Sequence, residues 1–240
     1  MKAQANKLFL SYLWWVLEPL LFVSLFYLLF EYILKRGGSG FFIFLIVGKV
    51  VFLWFSKAVT MGSASLVQNR GLIGQVAIPK WIFPLINVQE ATYKSMVSII
   101  LMVIVLACIG ISEPTYWWQL VPLTMLTYLF ISSVSLILSI LVAMAEDFSQ
   151  IISLAVMGLM FGSGIFWDIN TIPDQDLVSI IYLFNPVAAV IDAYRTVLIN
   201  NEIIDLYRLR SVFAFSLILW LTGMFLFSTM NNKITRYLFS

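Results

Sequence analysis

An all-α integral membrane protein is the fold class this sequence predicts, and three observations predict it. The chain is 62% hydrophobic and only 11% charged. A soluble domain carries about 25% charged residues, so a globule of 240 residues with this composition could not cover its surface with polar groups. The apolar residues fall in long runs, and a helix needs roughly 20 of them to cross a bilayer. Short polar or proline-containing breaks divide them into six such runs, which read as one transmembrane domain over residues 1–240.

The first span runs from about Tyr12 to Leu34 and is ended by Lys35-Arg36-Gly37-Gly38. Tyr12, Trp14 and Trp15 mark its interface, because these rings prefer the headgroup level. Glu18 and Pro19 follow about one turn deeper. A proline is tolerated in the first turns of a helix, where its missing N–H is not needed. The acid either reaches interfacial water or faces a packed or pore-lining surface, since intramembrane acids are costly.

The second span, Phe41 to about Met61, carries Lys49 and Lys57. Eight residues apart, they share roughly one face at about 12 Å along the axis. Lys57 is close enough to the helix end to snorkel. Lys49 lies nearer the middle and should face a cavity, a carboxylate or a lipid phosphate. Glu31 matches it in depth better than Glu18 does.

A polar, proline-punctuated stretch from Gly62 to Pro84 follows, and then three further spans at about 88–111, 117–143 and 150–167. Between the fifth span and the sixth (212–230) the chain holds two apolar pieces, 177–184 and 187–199, split by Asn185-Pro186. Each is too short to cross and reads as a re-entrant or interfacial helix. Six spans put both termini on one side. Lys2, Lys7, Arg70, Lys80, Lys94, Lys233 and Arg236 outnumber Lys35, Arg36, Arg195, Arg208 and Arg210, so that side is the cytoplasm.

Several chemistries have little to work with. The chain has no histidine, which removes the commonest general base and metal ligand. The only cysteine, Cys108, is expected to pack as a small hydrophobe. A net charge of +2 does not imply nucleic acid. Gly48-Lys49 is followed by Val50 inside a span, so no phosphate-binding loop exists and no bound cofactor is expected. Asp174-Gln175-Asp176 lacks the glycine and terminal glutamate of a calcium loop. The aromatics invite another role, because aromatic faces stack on sugar rings and tolerate a sliding polymer. Trp15, Phe22 and Phe26 on the first span and Phe161 and Trp167 on the fifth could supply such a surface. Lipid-facing packing is the plain alternative for each. Trp117, Trp118 and Trp220 read as interfacial anchors or lipid-facing residues.

The stretch "LSYLWWVLEPLL" resembles the opening of the membrane subunit of bacterial ABC-2 type polysaccharide exporters, which carry O-antigen, capsule and teichoic-acid chains. Leu10, Leu13, Trp14, Pro19 and Leu20 match that pattern, with Ser11 where glycine is usual. "SLVQNRGLIGQVAIPK" is similar to the family's loop after the second span through Asn69, Leu72, Ile73, Pro79 and Lys80; Gln75 replaces a lysine and Ile78 a phenylalanine. Asp147 stands for the acid of an Arg-Asp pair, with Glu146 in place of the arginine. "SGIFW" is similar to a Ser-Pro-Ile-Phe-Tyr pattern, with Gly164 for the proline. "LFNPVAAVIDAYR" matches through Asn185, Pro186, Tyr194 and Arg195. The family usually carries an amphipathic helix before the first span, and only about ten residues precede Tyr12 here.

The resemblance implies a homodimer with two ATPase subunits in the bacterial inner membrane, with ATP and magnesium bound by the ATPase and none by this chain. It implies that the first span lines the channel for a lipid-linked polysaccharide, with Glu18 and Pro19 near its cytoplasmic mouth; Lys49 on the second span, like Phe22 and Phe26, is a pathway candidate on its own chemistry, with structural pairing as the alternative for the lysine. It makes Asn69, Leu72, Ile73, Pro79 and Lys80 part of a cytoplasmic gating and docking segment. Asn185, Pro186, Tyr194 and Arg195 would belong to outer re-entrant helices. A drug or lipid efflux permease is the nearest competing reading. A membrane glycosyl- or acyltransferase, or a proton-driven transporter, fits the residues less well.

Overall fold

The computed structural model of the chain describes residues 17–18, 20–29, 40–76, 78–108, 110 and 114–239. Among the described residues every regular element is helical. Helix α1 is seen over residues 20–28. It is followed by α2 (Phe41–Ser63), two single-turn helices α3 (Ser65–Gln68) and α4 (Arg70–Ile73), and α5 (Ile82–Cys108). A 3-10 segment (Pro114–Gln119) runs into α6 (Leu120–Met144), which a tight turn joins to α7 (Phe148–Gly162). A 3-10 turn (Ile169–Thr171) leads to α8 (Gln175–Phe184) and α9 (Pro186–Arg195), which continues as a π turn to Asn200; α10 (Leu206–Phe239) closes the chain.

Among the described residues four elements are long and apolar enough to cross a membrane: α2, α5, the joined Pro114–Met144 and α10. Helix α7, at 15 residues, spans only about 22 Å at 1.5 Å per residue, short of a hydrocarbon core of about 30 Å. Helices α8 and α9 form one apolar pair bent by 109°. Two caps build that bend. Asp174 accepts from the backbone N–H of Asp176 and Leu177 to start α8. Asn185 accepts from Ala188 N at 3.1 Å to start α9, with Pro186 at its first position. A side-chain cap and a proline at that junction both end the first helix and favour the start of the second.

Helix α2 is the centre of the bundle, contacted by α5, α6, α7 and α9. Its most apolar window is 67% buried, against 28% for α5 and 22% for α10, so the bundle leaves most of the latter two uncovered. Small residues allow the close contacts, as expected where apolar tails surround the helices. A Cβ on Gly62 would come within 2.7 Å of Ser135 and 2.9 Å of Val88, which fixes α2 against both α6 and α5. Trp54 donates its indole N–H to Thr92 at 3.0 Å, a buried bond between α2 and α5. On α6, the buried Ser133 and Ser139 return their hydroxyls to the carbonyls of Phe130 and Leu136 at 2.8 Å, which satisfies those two donors within the helix.

Gly48 is a sharper case. A Cβ there would overlap the guanidinium of Arg195, which lies across α2. Gly48→Ala should therefore lower stability by about 1–3 kcal/mol, the usual cost of overpacking. A thermal melt of the detergent-solubilised protein reads this, and an unchanged melt would show that the arginine can move aside.

Several boundaries differ from the sequence reading. Helix α5 begins at Ile82 rather than near Val88, and α10 spans Leu206–Phe239 rather than 212–230, because its polar last turns pack against the loop after α4. Helix α7 stops at Gly162 rather than reaching Trp167. Gly164 there adopts φ 69°, a left-handed turn that a side-chain-bearing residue resists. Cys108 is exposed at the end of α5 rather than packed inside. Trp117 and Trp220 are partly buried against the core, while Trp118 is 67% exposed.

Candidate functional site

The aromatic residues singled out on the first and fifth spans converge on one surface. Phe22 and Phe26, one turn apart on α1, stack with centroids 4.4 Å apart. Phe26 reaches Phe166 at 4.5 Å, and Phe166 reaches Phe161 at 5.5 Å. Trp167 joins them by donating its indole N–H to the Phe161 carbonyl at 3.2 Å. Phe166 is buried and acts as the hub, while Phe161 and Trp167 stay open on the flank. The hub was missed in the sequence because "SGIFW" offers two adjacent rings and nothing local says which points inward. Trp15 and Pro19 lie outside the described residues.

Lys49 sits behind this surface rather than on it. Its ammonium lies 3.4 Å from the Phe22 ring centroid and 3.4 Å from the Met160 sulfur, and the residue is only 6% exposed. No carboxylate reaches it among the described residues; Glu31, its expected partner, is not one of them. Lys57, expected to snorkel, stays 40% exposed and in addition gains an acidic partner. Its ammonium is 2.5 Å from the Glu18 carboxylate, so the acid of the first span faces α2. Both side chains remain more than a third exposed, so their coupling should be about 0.5–1 kcal/mol. A double-mutant cycle of Glu18→Gln and Lys57→Gln measures it. Additive single effects would mean that the pair is not formed in the membrane.

At the other end of α2, Arg195 is buried and serves as a clamp. It donates to the carbonyls of Gly164 at 2.7 Å, Ile165 at 3.1 Å and Phe44 at 3.0 Å, with its guanidinium 3.3 Å from the Phe44 ring centroid. Tyr194 beside it shares a hydrogen bond with Thr124 of α6 at 3.0 Å. Asn185 donates to the Gly162 carbonyl at 3.1 Å, binding the α8–α9 bend to the end of α7. These three residues, with Pro186, are thus the joints that hold the bent pair on the bundle.

The segment between α2 and α5 forms the opposite end. Asn69 donates to the Ser65 carbonyl at 2.8 Å and closes α3. Ile73 is buried, whereas Leu72 and Pro79 are exposed. Lys80 is buried and donates to both the side-chain and backbone oxygens of Asn231 on α10. That burial holds its ammonium below its ordinary pKa. A cavity of about 490 Å³ opens between this loop and α10, walled by Ile73, Val76, Pro79, Trp81 and Phe227. Lys80 therefore ties the loop to the last helix, a link that the sequence could not reveal across 151 positions.

Residues 9–199 match the family of ABC-2 type transporters. The chain is 26% identical to the O-antigen export system permease protein RfbA of Klebsiella pneumoniae over 240 residues, covering 99% of this chain and 91% of the relative. It is 26% identical to the protein of the same name from Myxococcus xanthus, covering 91% and 84% of the two chains. Its similarity to the polysialic acid transport protein KpsM of Escherichia coli is 25% identity over 95% and 89%.

Proposed function

This chain belongs to the ABC-2 type transporter family, and we propose from that premise that it is the membrane subunit of an ATP-driven exporter of a lipid-linked polysaccharide, an O-antigen-like glycan. The observation that carries the glycan reading is the aromatic cluster that joins Phe22 and Phe26 through the buried Phe166 to the open flank of Phe161 and Trp167. Aromatic faces bind sugar rings without demanding one linkage, which a moving polymer requires. The names of the relatives, O-antigen and polysialic acid transport, favour the same class of cargo.

The working unit is a homodimer in the bacterial inner membrane with both termini in the cytoplasm. Helix α7 supports this, because only Ile152 and Val156 of its 15 residues are buried. Its exposed Leu154, Met157 and Phe161 stand with Leu21, Leu25 and Leu28 of α1 as uncovered apolar surface for a second copy. A separate ATPase subunit binds ATP and magnesium and docks on the segment from Gly62 to Pro84, where Leu72, Val76 and Pro79 are exposed. Closure of the ATPases pushes that segment. The Lys80–Asn231 tie passes the movement to α10, and the α3 contact with α6 passes it to the bundle. Such coupling requires two discrete arrangements of the dimer.

Gentle extraction of the tagged chain from native membranes should recover a stoichiometric ATPase. Its turnover should rise when lipid-linked glycan is added. Extraction without any ATPase partner, or turnover indifferent to glycan, would overturn the exporter reading and its cargo respectively.

A further inference from the structure

Two cavities of about 350 Å³ each lie at the α8–α9 end of the bundle, are lined by none of the clustered aromatic residues, and share one residue, Arg210. One is an apolar trough between the starts of α6 and α10, walled by Leu123, Leu126, Leu206, Leu209 and Phe213, with Trp118 on its rim. The other is a mixed pocket between α8 and α10, where Gln175, Ser179, Arg208 and Ser211 share the wall with Val178 and Leu183. An apolar slot meeting a mixed pocket at a single cation is the shape of an amphiphile.

The charges select its sign. Arg208 is already held by Asp192 at 2.9 Å and Asp205 at 3.7 Å. Arg210 lies 3.4 Å over the Tyr207 ring centroid and has no ion-pair partner among the described residues. The only carboxylate on the mixed pocket, Asp205, is engaged by Arg208 and by the Tyr207 N–H at 2.9 Å, so it does not neutralise Arg210. A second polar group also lacks a partner. Gln119 lines the trough and is only 4% exposed; its carbonyl accepts from Ile204 N at 2.9 Å, while its amide nitrogen has no hydrogen-bond partner. A buried amide donor is rarely left unpaired.

We propose that trough and pocket form one site for an anionic glycerophospholipid of the bilayer. An acyl chain fills the trough, the phosphodiester lies on Arg210, and the polar headgroup enters the pocket. Arginine is suited to the phosphate because its fork can offer two parallel N–H donors. Trp118, 67% exposed on the rim of the trough, is of the residue type that marks headgroup boundaries. The bound lipid joins α6, α8 and α10 at one end of the bundle. This inference stands apart from the polysaccharide reading, since its assay scores lipid binding and not transport.

Native mass spectrometry of the full chain with its partners, titrated with equimolar phosphatidylglycerol and phosphatidylcholine, tests it. The first phosphatidylglycerol should bind about fivefold more tightly, the factor that roughly 1 kcal/mol per basic residue supplies. Arg210→Gln should abolish that preference, and Arg210→Lys should keep part of it. Leu206→Glu, on the exposed wall of the trough, should weaken both lipids. Equal binding of the two lipids to the wild type, or an unchanged preference in Arg210→Gln, would overturn the proposal. So would displacement of phosphatidylglycerol by lipid-linked glycan, which would give the site to the cargo.

Discussion

Arg195→Leu is expected to be the most damaging single substitution in the bundle. The side chain donates to three backbone carbonyls on two separate segments, Phe44 of α2 and Gly164-Ile165 after α7. Hydrogen bonds from a charged donor contribute about 1.5–3 kcal/mol each. Carbonyls left dry at this depth are expensive, since no water replaces the partner. A loss of at least ~3 kcal/mol should follow, a large share of the roughly 5–15 kcal/mol that holds a domain together. The α8–α9 pair should then detach from α2, and little monodisperse protein should be recovered from the membrane. Arg195→Lys should fall between, because a single ammonium cannot reach three carbonyls at the positions a planar fork does. Size-exclusion profiles and melts of the three proteins give the comparison. Arg195→Leu within about 0.5 kcal/mol of the wild type, the range of a neutral surface change, would refute the clamp.

The sequence made the membrane class legible because composition and run length are local properties. Lys49 and Lys57 were bound to lie in one long helix, and Asn185-Pro186 was bound to break the chain, since a cap and a proline act on their nearest neighbours. Helix ends were harder. Helix α7 ends at Gly162, two residues before Gly164's left-handed turn, and "FGSGIFW" does not show which of its small residues takes that conformation. The extension of α10 to Phe239 depends on Lys80, in a different part of the chain, so no window around Met230 could announce it.

The site was legible as a set of residues and not as an arrangement. Phe22, Phe26, Phe161 and Trp167 were picked for ring chemistry, and folding brings them together. Which ring is central depends on the packing of α1 against α7, and that selects Phe166. The partner of Glu18 went unread for a related reason. Depth along an axis was estimated for each helix alone, whereas the offset between α1 and α2 decides that Glu18 meets Lys57 and that Phe22 covers Lys49. Arg195 was visible as a matching residue, but its role as a clamp depends on Gly48 leaving room across α2.

Lys49→Met separates stability from transport. The ammonium is buried with a ring and a thioether as its nearest partners. A cation–π contact contributes about 0.5–2 kcal/mol, while a lysine at membrane depth costs about 2.5–3.5 kcal/mol on insertion scales. The attraction does not offset the cost, so a methionine of similar length should raise stability, by up to the ~1–4 kcal/mol seen when buried charges give way to apolar residues. If the cation were only structural, export should then be intact or better. The proposed function expects the opposite. Lys49 lies one ring behind the aromatic surface, where a rotation of Phe22 would present it to the phosphate of a lipid-linked glycan. Lys49→Met should therefore melt higher and export at least about tenfold less, equivalent to ~1.4 kcal/mol of lost transition-state binding. Phe22→Ala, which uncovers the ammonium, should leave assembly intact and raise ATP turnover in the absence of glycan. A Lys49→Met protein that melts lower, or one that exports at the wild-type rate, would remove Lys49 from the pathway and leave the aromatic surface to act without a charge.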